Sequence, residues 1–118
     1  MFRTPRQHSD KHLDFIRGLP CLICGDNIST EAAHVRFQCR PAGKRYAGKG
    51  EKPDDRWTIP LCGNHHRDQH SMDEEMFWEG VGCDPIFYAM ALWGVTGNHA
   101  LGEQIVHEAH NSCQRETK

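Results

Sequence analysis

The pattern of apolar and polar residues predicts short helices at both ends of the chain, with β structure between them. Leu13 and Ile16 follow Ser9, which suits an N-cap, and they precede Gly18, which would end a first helix. Apolar residues return at helical spacing beyond residue 71. The second half of the chain is therefore predicted to hold three more helices, over about 72–79, 85–93 and 99–113.

The middle of the chain has a different pattern, with short β-prone runs on either side of a polar segment. Residues 29–37 are predicted to form a strand, and Trp57 begins a second β-prone run that ends at Pro60 and Leu61. Residues 38–55 are rich in Gly, Pro, Lys and Arg and indicate an exposed loop. A further helix is expected to start near Cys62. The order strand, loop, strand, helix, together with the flanking helices, predicts an α+β fold.

Length and hydropathy place limits on the class of protein. The chain has 118 residues, which predicts a single domain over 1–118 with a core small enough to gain stability from a structural metal. It has no apolar run long enough for a transmembrane helix, and its N-terminus lacks the apolar run of a secretory signal. We therefore expect no membrane association and a cytoplasmic location.

Charge is unevenly distributed, although the net charge is only −2. Residues 34–56 contain seven basic and three acidic residues, whereas residues 73–118 contain two basic and eight acidic residues. This division favours contact between the middle segment and a polyanion, and the alternative is a solvated loop. The side chains expected to bind a nucleic-acid backbone are Arg40, Lys44, Arg45, Lys49 and Lys52.

Two separated pairs of metal ligands predict a structural metal site. Cys21 and Cys24 form a C-x2-C pair, and Cys62 and His65 form a C-x2-H pair farther along the chain. Four such ligands suit tetrahedral Zn²⁺ and leave no position open for substrate. The alternatives are cysteines that only pack in the core and, with less support in a reducing compartment, disulfides.

Three histidines outside that set predict a second, open site. His66 and His70 are four residues apart and would share one helix face, where two imidazoles can bind one divalent ion. His34, on the preceding strand, could reach the same site and act as a general base for water. Taken singly, these histidines also fit surface or partly buried positions without catalytic function.

A further cluster near the C-terminus resembles a ligand set but is given a structural interpretation. His107, His110 and Cys113 recur at intervals of three residues. Because no partner residues are organised around them in the sequence, we interpret them as an exposed helix rather than a second metal site. Cys39 and Cys83 receive no predicted function.

Several of these residues together resemble the HNH, or ββα-metal, endonuclease family. The resemblance lies in Ala33-His34, in residues 57–62 (WTIPLC), and in His65-His66 followed by His70. It covers about residues 19–71, within which residues 31–36 and 52–62 are similar to small phage and prophage HNH proteins, including the phage recombination enhancement nucleases. It implies a zinc-stabilised ββα-metal core with a helical extension over 72–118, which lies outside the resemblance.

The resemblance implies metal-dependent hydrolysis of DNA phosphodiester bonds. His34 would be the general base, and His66 and His70 would bind Mg²⁺ or another divalent ion that contacts the scissile phosphate and stabilises the departing 3′-oxygen. Arg36 and Arg67 would contact phosphate or stabilise charge in the transition state, and the alternative for each is a surface ion pair.

Two positions depart from the family pattern and support rival functions. Ala33 stands where the family often has a further metal ligand, and Trp57 stands where it usually has the Asn that holds the loop, for which Asp55 is a candidate replacement. These departures favour a non-catalytic zinc module that binds nucleic acid or protein. The acidic helices suggest a third class, an interaction protein that forms a homodimer through its C-terminal helices or docks on a recombination protein.

Overall fold

The computed structural model describes residues 7–37, 39–44 and 53–116, which form a small α+β fold. Within these ranges a two-stranded sheet is accompanied by five α-helices and one 3-10 turn, η1. None of these helices is long and apolar enough to cross a membrane. In chain order the elements are α1 (Asp10–Arg17), β1 (Thr30–His34), η1 (Arg40–Ala42), β2 (Thr58–Cys62), α2 (Gly63–His70), α3 (Glu74–Val81), α4 (Pro85–Trp93) and α5 (His99–Glu116).

The two strands form an antiparallel hairpin at the centre of the fold. The register runs from Thr30 opposite Cys62 to His34 opposite Thr58. All five residues of β2 are buried, because α1, α2 and α4 pack around this strand. The hairpin thus places His34 at one end of the pairing and a predicted metal ligand, Cys62, at the other.

Capping contacts confirm the predicted starts of α1 and α4, whereas α3 begins two residues later than predicted. The Ser9 hydroxyl accepts a hydrogen bond from the backbone N–H of His12 at 3.2 Å, which caps α1. Asp73 and Asp84 cap α3 and α4 in the same way. Gly82 ends α3 with a φ of 77°, a left-handed conformation that favours glycine. Helix α5 begins and extends close to where the sequence predicts.

Helix α5 lies against the N-terminal part of the molecule at a glycine. A Cβ at Gly102 would come within 2.8 Å of Phe15 Cζ and 2.9 Å of Leu19 Cδ2. The absence of a side chain at Gly102 therefore permits close contact between α5 and the end of α1.

A disulfide between Cys83 and Cys113 attaches α5 to the turn between α3 and α4, with the two Cα atoms 5.1 Å apart. The predicted exposure of Cys113 and the lack of a function for Cys83 are therefore wrong. Both cysteines are buried. Sequence spacing missed this pair because the packing of α5, and not a short motif, brings the two sulfurs together.

His12 is a titratable group buried in the core. Its ring is fully buried, packs edge-on against Trp93, and shares a 2.8 Å hydrogen bond between Nδ1 and Thr96 Oγ1. Its Nε2 has no partner among the described residues. Desolvation lowers the pKa of His12 to about 4, and the nearby Asp55 opposes that shift only in part. The ring is therefore neutral in the folded protein at neutral pH.

This lowered pKa predicts that acidification destabilises the fold. Between its unfolded pKa of 6.5 and its folded pKa of about 4, His12 binds more protons in the unfolded chain, so stability falls as pH falls. The contribution lost between pH 7.5 and 5 is about 2 kcal/mol. Urea unfolding of the wild type and of His12→Met at both pH values would measure it. The wild type should lose more stability, and equal losses would contradict the assignment.

Candidate functional site

The four predicted structural ligands come together between the end of α1 and the start of α2. A tight turn follows α1, in which the N–H of Gly25 donates to the carbonyl of Cys21 at 2.9 Å and Gly25 has a φ of 79°. The N–H of Leu22 donates to the carbonyl of Pro60 at 2.8 Å, which joins this turn to β2. The turn therefore presents Cys21 and Cys24 to Cys62 and His65.

The geometry of this cluster fits a tetrahedral metal site. One ligand atom from each of its four residues lies within 4.8 Å of the other three. His65 Nδ1 is 3.2 Å from Cys62 Sγ and 3.6 Å from Cys21 Sγ, and the Cys24 and Cys62 sulfurs are 3.9 Å apart. Metal bonds of about 2.0–2.3 Å would place tetrahedral ligands roughly 3.5–3.8 Å apart. The cluster of Cys21, Cys24, Cys62 and His65 can therefore hold a metal ion.

A metal ion bound in the cluster would change the protonation of its thiols. Desolvation raises the pKa of the Cys24 thiol to about 11, and the neighbouring Cys21 and Cys62 add to the shift. A bound divalent cation would reverse this effect because it stabilises the thiolate.

Helix α2 carries the other two histidines immediately beside this cluster. The rings of His66 and His70 are 4.8 Å apart, as expected for residues four positions apart on a helix. His66 Nδ1 is 2.6 Å from Glu31 Oε1 on β1. Desolvation lowers the pKa of His70, and the charges of His66 and Arg36 act in the same direction. A lowered pKa favours the neutral imidazole, which is the form that binds metals.

A cleft of about 480 Å³ brings most of the predicted catalytic residues together. It lies between α1, β1 and α2. Its lining includes the predicted His34, His66, His70 and Arg36, and it also includes residues that the sequence did not single out. The complete lining is His8, Asp10, Leu13, Arg17, Ala32, His34, Arg36, His66 and His70.

The imidazole of His34 is fixed by a buried carboxylate. Its Nε2 is 2.9 Å from Asp55 Oδ1, and the side chain of Asp55 is fully buried. Asp55 Oδ2 also accepts a hydrogen bond from the backbone N–H of Ser9 at 2.8 Å and lies 2.7 Å from His8 Nδ1. Asp55 therefore links the start of α1 to the end of β1.

Arg36 is held at the rim of the cleft by its backbone. Its N–H donates to Glu74 Oε1 at 2.9 Å, and the other oxygen of Glu74 accepts from Gln69 Nε2 at 2.6 Å. Desolvation raises the pKa of Glu74, although these hydrogen bonds oppose the shift. Glu74 thus connects the start of α3 to the end of α2 and to the segment that follows β1.

The predicted phosphate-binding side chains are only partly placed in the cleft. Arg67 does not line it and instead donates to Asn64 Oδ1 at 2.5 Å on the exposed side of α2. Lys44 is 2% exposed, so its predicted position on the surface is wrong. Desolvation lowers the pKa of Lys44 to about 8, which the nearby Glu74 partly opposes. Arg45, Lys49, Lys52 and the side chain of Arg40 lie outside the described residues.

The side chain of Trp57 packs in the core of the fold. It is buried, its carbonyl accepts from the N–H of Val35 at 2.8 Å, and the guanidinium of Arg56 lies 4.9 Å from its ring centroid. Asp55, two residues before Trp57, is bonded through its own backbone: its carbonyl accepts from the Thr58 hydroxyl at 2.8 Å, and its N–H donates to the carbonyl of Gln7.

Comparison with known protein families places these residues in a family without an assigned activity. The DUF968 family, described as proteins of unknown function, matches residues 2–92. The chain belongs to the DUF968 family. The match includes every residue of the metal cluster and of the cleft, whereas the whole of α5 lies beyond it. No curated protein and no solved structure matches the chain.

Sequence reasoning missed several residues at the site of this DUF968 protein. His8, Asp10 and Arg17 line the cleft because α1 packs against β1, a contact between elements that no local spacing reveals. Glu31 lies three residues before His34 and contacts His66 across the fold. The closeness of Glu31 to a candidate base in the sequence was a signal that could have identified this glutamate as a site residue.

Proposed function

We propose that this DUF968 protein is a metal-dependent endonuclease that hydrolyses DNA phosphodiester bonds, built on a zinc-stabilised ββα-metal core. The observation that carries the proposal is the cleft in which a carboxylate-held histidine faces two helical histidines and an arginine. A base, a pair of metal ligands and a cation around one cavity suit attack of water on a phosphodiester.

His34 is the proposed general base. With Nε2–H donating to Asp55, the imidazole carries its lone pair on Nδ1, so it can take a proton from the attacking water. The burial of Asp55 shields this hydrogen bond from water. The negative charge of the carboxylate favours the imidazolium that forms when His34 takes up the proton. Arg36 supports the developing charge on the phosphate.

His66 and His70 are the proposed ligands of the catalytic metal. Glu31 accepts from Nδ1–H of His66, which leaves the Nε2 lone pair for a cation and strengthens the ring as a ligand. A divalent ion such as Mg²⁺ would supply Lewis-acid stabilisation of charge on the phosphate. Glu31 thus supports His66 as a metal ligand, whereas Ala33 provides no ligand from the strand.

Zinc is the ion that best suits the Cys21–Cys24–Cys62–His65 cluster, because three thiolates and one imidazole form a closed tetrahedral site. The proposed function of this ion is structural. It fixes the start of α2 against the turn after α1, and so it sets the direction in which His66 and His70 point. Zinc would hold the catalytic helix without taking part in hydrolysis.

Plasmid cleavage by the purified full-length chain tests the proposed function. We expect Mg²⁺ or Mn²⁺ to support conversion of supercoiled DNA to nicked or linear forms, EDTA to stop it, and excess metal to restore it. Zinc content should be measured before and after EDTA, so that loss of the catalytic ion is separated from loss of the structural one. An absence of cleavage over a series of divalent metals would overturn the proposal.

One observation favours a second candidate, a zinc module that binds nucleic acid or protein without cleaving DNA. Among the described residues, the Cys/His cluster is the single group of three or more side chains arranged to hold a metal. The candidate ligands for a catalytic metal in the cleft are two imidazoles, those of His66 and His70. Retention of DNA on the protein without strand cleavage in the same assay would favour this candidate.

A further inference from the structure

His8 is held in the cleft by carboxylates on both sides of its ring. Its Nδ1 is 2.7 Å from Asp55 Oδ2, and its Nε2 is 2.9 Å from Asp10 Oδ1. A carboxylate oxygen only accepts hydrogen bonds, whereas a neutral imidazole has a single N–H to donate. Both contacts can be satisfied together only when His8 is doubly protonated.

The two partners of His8 differ in their access to solvent. Asp55 is fully buried, whereas the side chain of Asp10 is 84% exposed. A substrate oxygen can therefore replace Asp10 at Nε2 while Asp55 keeps the ring in place through Nδ1. The other charged or titratable groups that line this cleft are Arg17, His34, Arg36, His66 and His70.

Asp55 also connects His8 to the proposed base. One of its oxygens contacts His34 Nε2, and the other contacts His8 Nδ1. A single buried carboxylate thus holds two imidazoles that line the same cavity. One of them can accept a proton at Nδ1, and the other can donate a proton from Nε2.

We propose that His8 is the general acid of the cleavage reaction and protonates the departing 3′-oxygen; this inference rests on the proposed function. Water oxygen forms a bond to phosphorus as the bond from phosphorus to the 3′-oxygen breaks. His34 takes one proton from the water, and His8 gives one proton to the leaving oxygen. Solvent then removes the proton from His34 and returns one to His8, which restores the starting state.

A substrate whose leaving group needs no proton gives the test. A labelled DNA duplex is made with sulfur in place of the bridging 3′-oxygen at one linkage, and cleavage at that bond is compared with cleavage of the all-oxygen duplex in Mn²⁺. His8→Gln should slow cleavage of the oxygen linkage by about 10²–10⁴-fold. It should slow cleavage of the sulfur linkage by less than about threefold, because a thiolate leaves without protonation.

Two control variants separate the acid from other functions. His34→Ala should lose activity on both linkages, because attack of water is impaired in each. His107→Gln changes an exposed histidine on α5 that contacts Asn111 and should match the wild type on both. Thermal unfolding of all variants checks that His8→Gln folds normally.

The remaining outcomes distinguish this inference from the proposed function. Equal losses on both linkages in folded His8→Gln, or no loss on either, would overturn the acid assignment and leave the nuclease in place. A wild-type protein that cuts neither linkage would overturn the nuclease and the acid together.

Discussion

Replacing His34 by alanine is expected to lower the rate of DNA cleavage by about 10²–10⁴-fold, the usual contribution of a general base. The effect should fall on the chemical step, because His34 contacts Asp55 and lines the cleft but belongs to neither proposed metal site. Single-turnover cleavage in Mn²⁺ with enzyme in excess would measure the rate directly, and DNA affinity should change little.

The control for this variant must show that the fold is intact. His34→Ala removes one partner of the buried Asp55 carboxylate, which costs about 1–3 kcal/mol of stability. Zinc content and the unfolding midpoint should therefore be measured beside the rate. His99→Ala is a matched histidine variant, because His99 contacts the Gly18 carbonyl and is not part of the cleft lining. Full cleavage by zinc-loaded His34→Ala would reject the base assignment.

Chelation of the ion that we propose for the Cys21–Cys24–Cys62–His65 cluster is expected to unfold the N-terminal two thirds of the molecule. Apparent binding free energies of about 10–16 kcal/mol are typical of structural zinc in small domains, which exceeds the stability of most folds of this size. Cys62→Ser should have the same effect, because Cys62 ends β2 and begins α2. Circular dichroism during chelation, with metal content measured in parallel, would detect the transition.

Cys39 supplies the matched control for that experiment. It is a free cysteine outside the cluster, bonded through its backbone to Lys44. Cys39→Ser should therefore retain one zinc per chain and the wild-type unfolding midpoint. A chelated protein that keeps the same midpoint as the metal-loaded protein would contradict a structural function for the ion.

The sequence predicted most of the local structure because the signals for it are local. Ser9 indicates a helix start as an N-cap, and Pro85 suits a first helical turn; the structure confirms both starts. The metal cluster was also accessible, because two short ligand pairs can be read from spacing alone. Each helix cap and each ligand pair lies within four positions of the sequence, although the two ligand pairs are far apart from one another.

The parts that sequence analysis missed depend on contacts between distant elements. His8 reaches Asp55 over 47 positions, and Cys83 reaches Cys113 because α5 returns to the α3–α4 turn. Lys44 was expected in solvent because it lies in a basic, glycine-rich part of the sequence, yet it is buried, with its ammonium 6.0 Å from the centroid of the Trp57 ring and near the charge of Glu74. Such burial is set by the whole fold and has no short motif.

Helix α2 gives the two proposed metal sites a shared element, because His65 and His66 are adjacent residues of eight in that helix. An ion at the cysteine cluster orders the backbone from which the second pair of imidazoles projects, so it lowers the entropy lost when they take up their own ion. Thermodynamic linkage requires the reverse effect to be equal in size. The two sites should therefore fill cooperatively, each ion raising the affinity of the protein for the other.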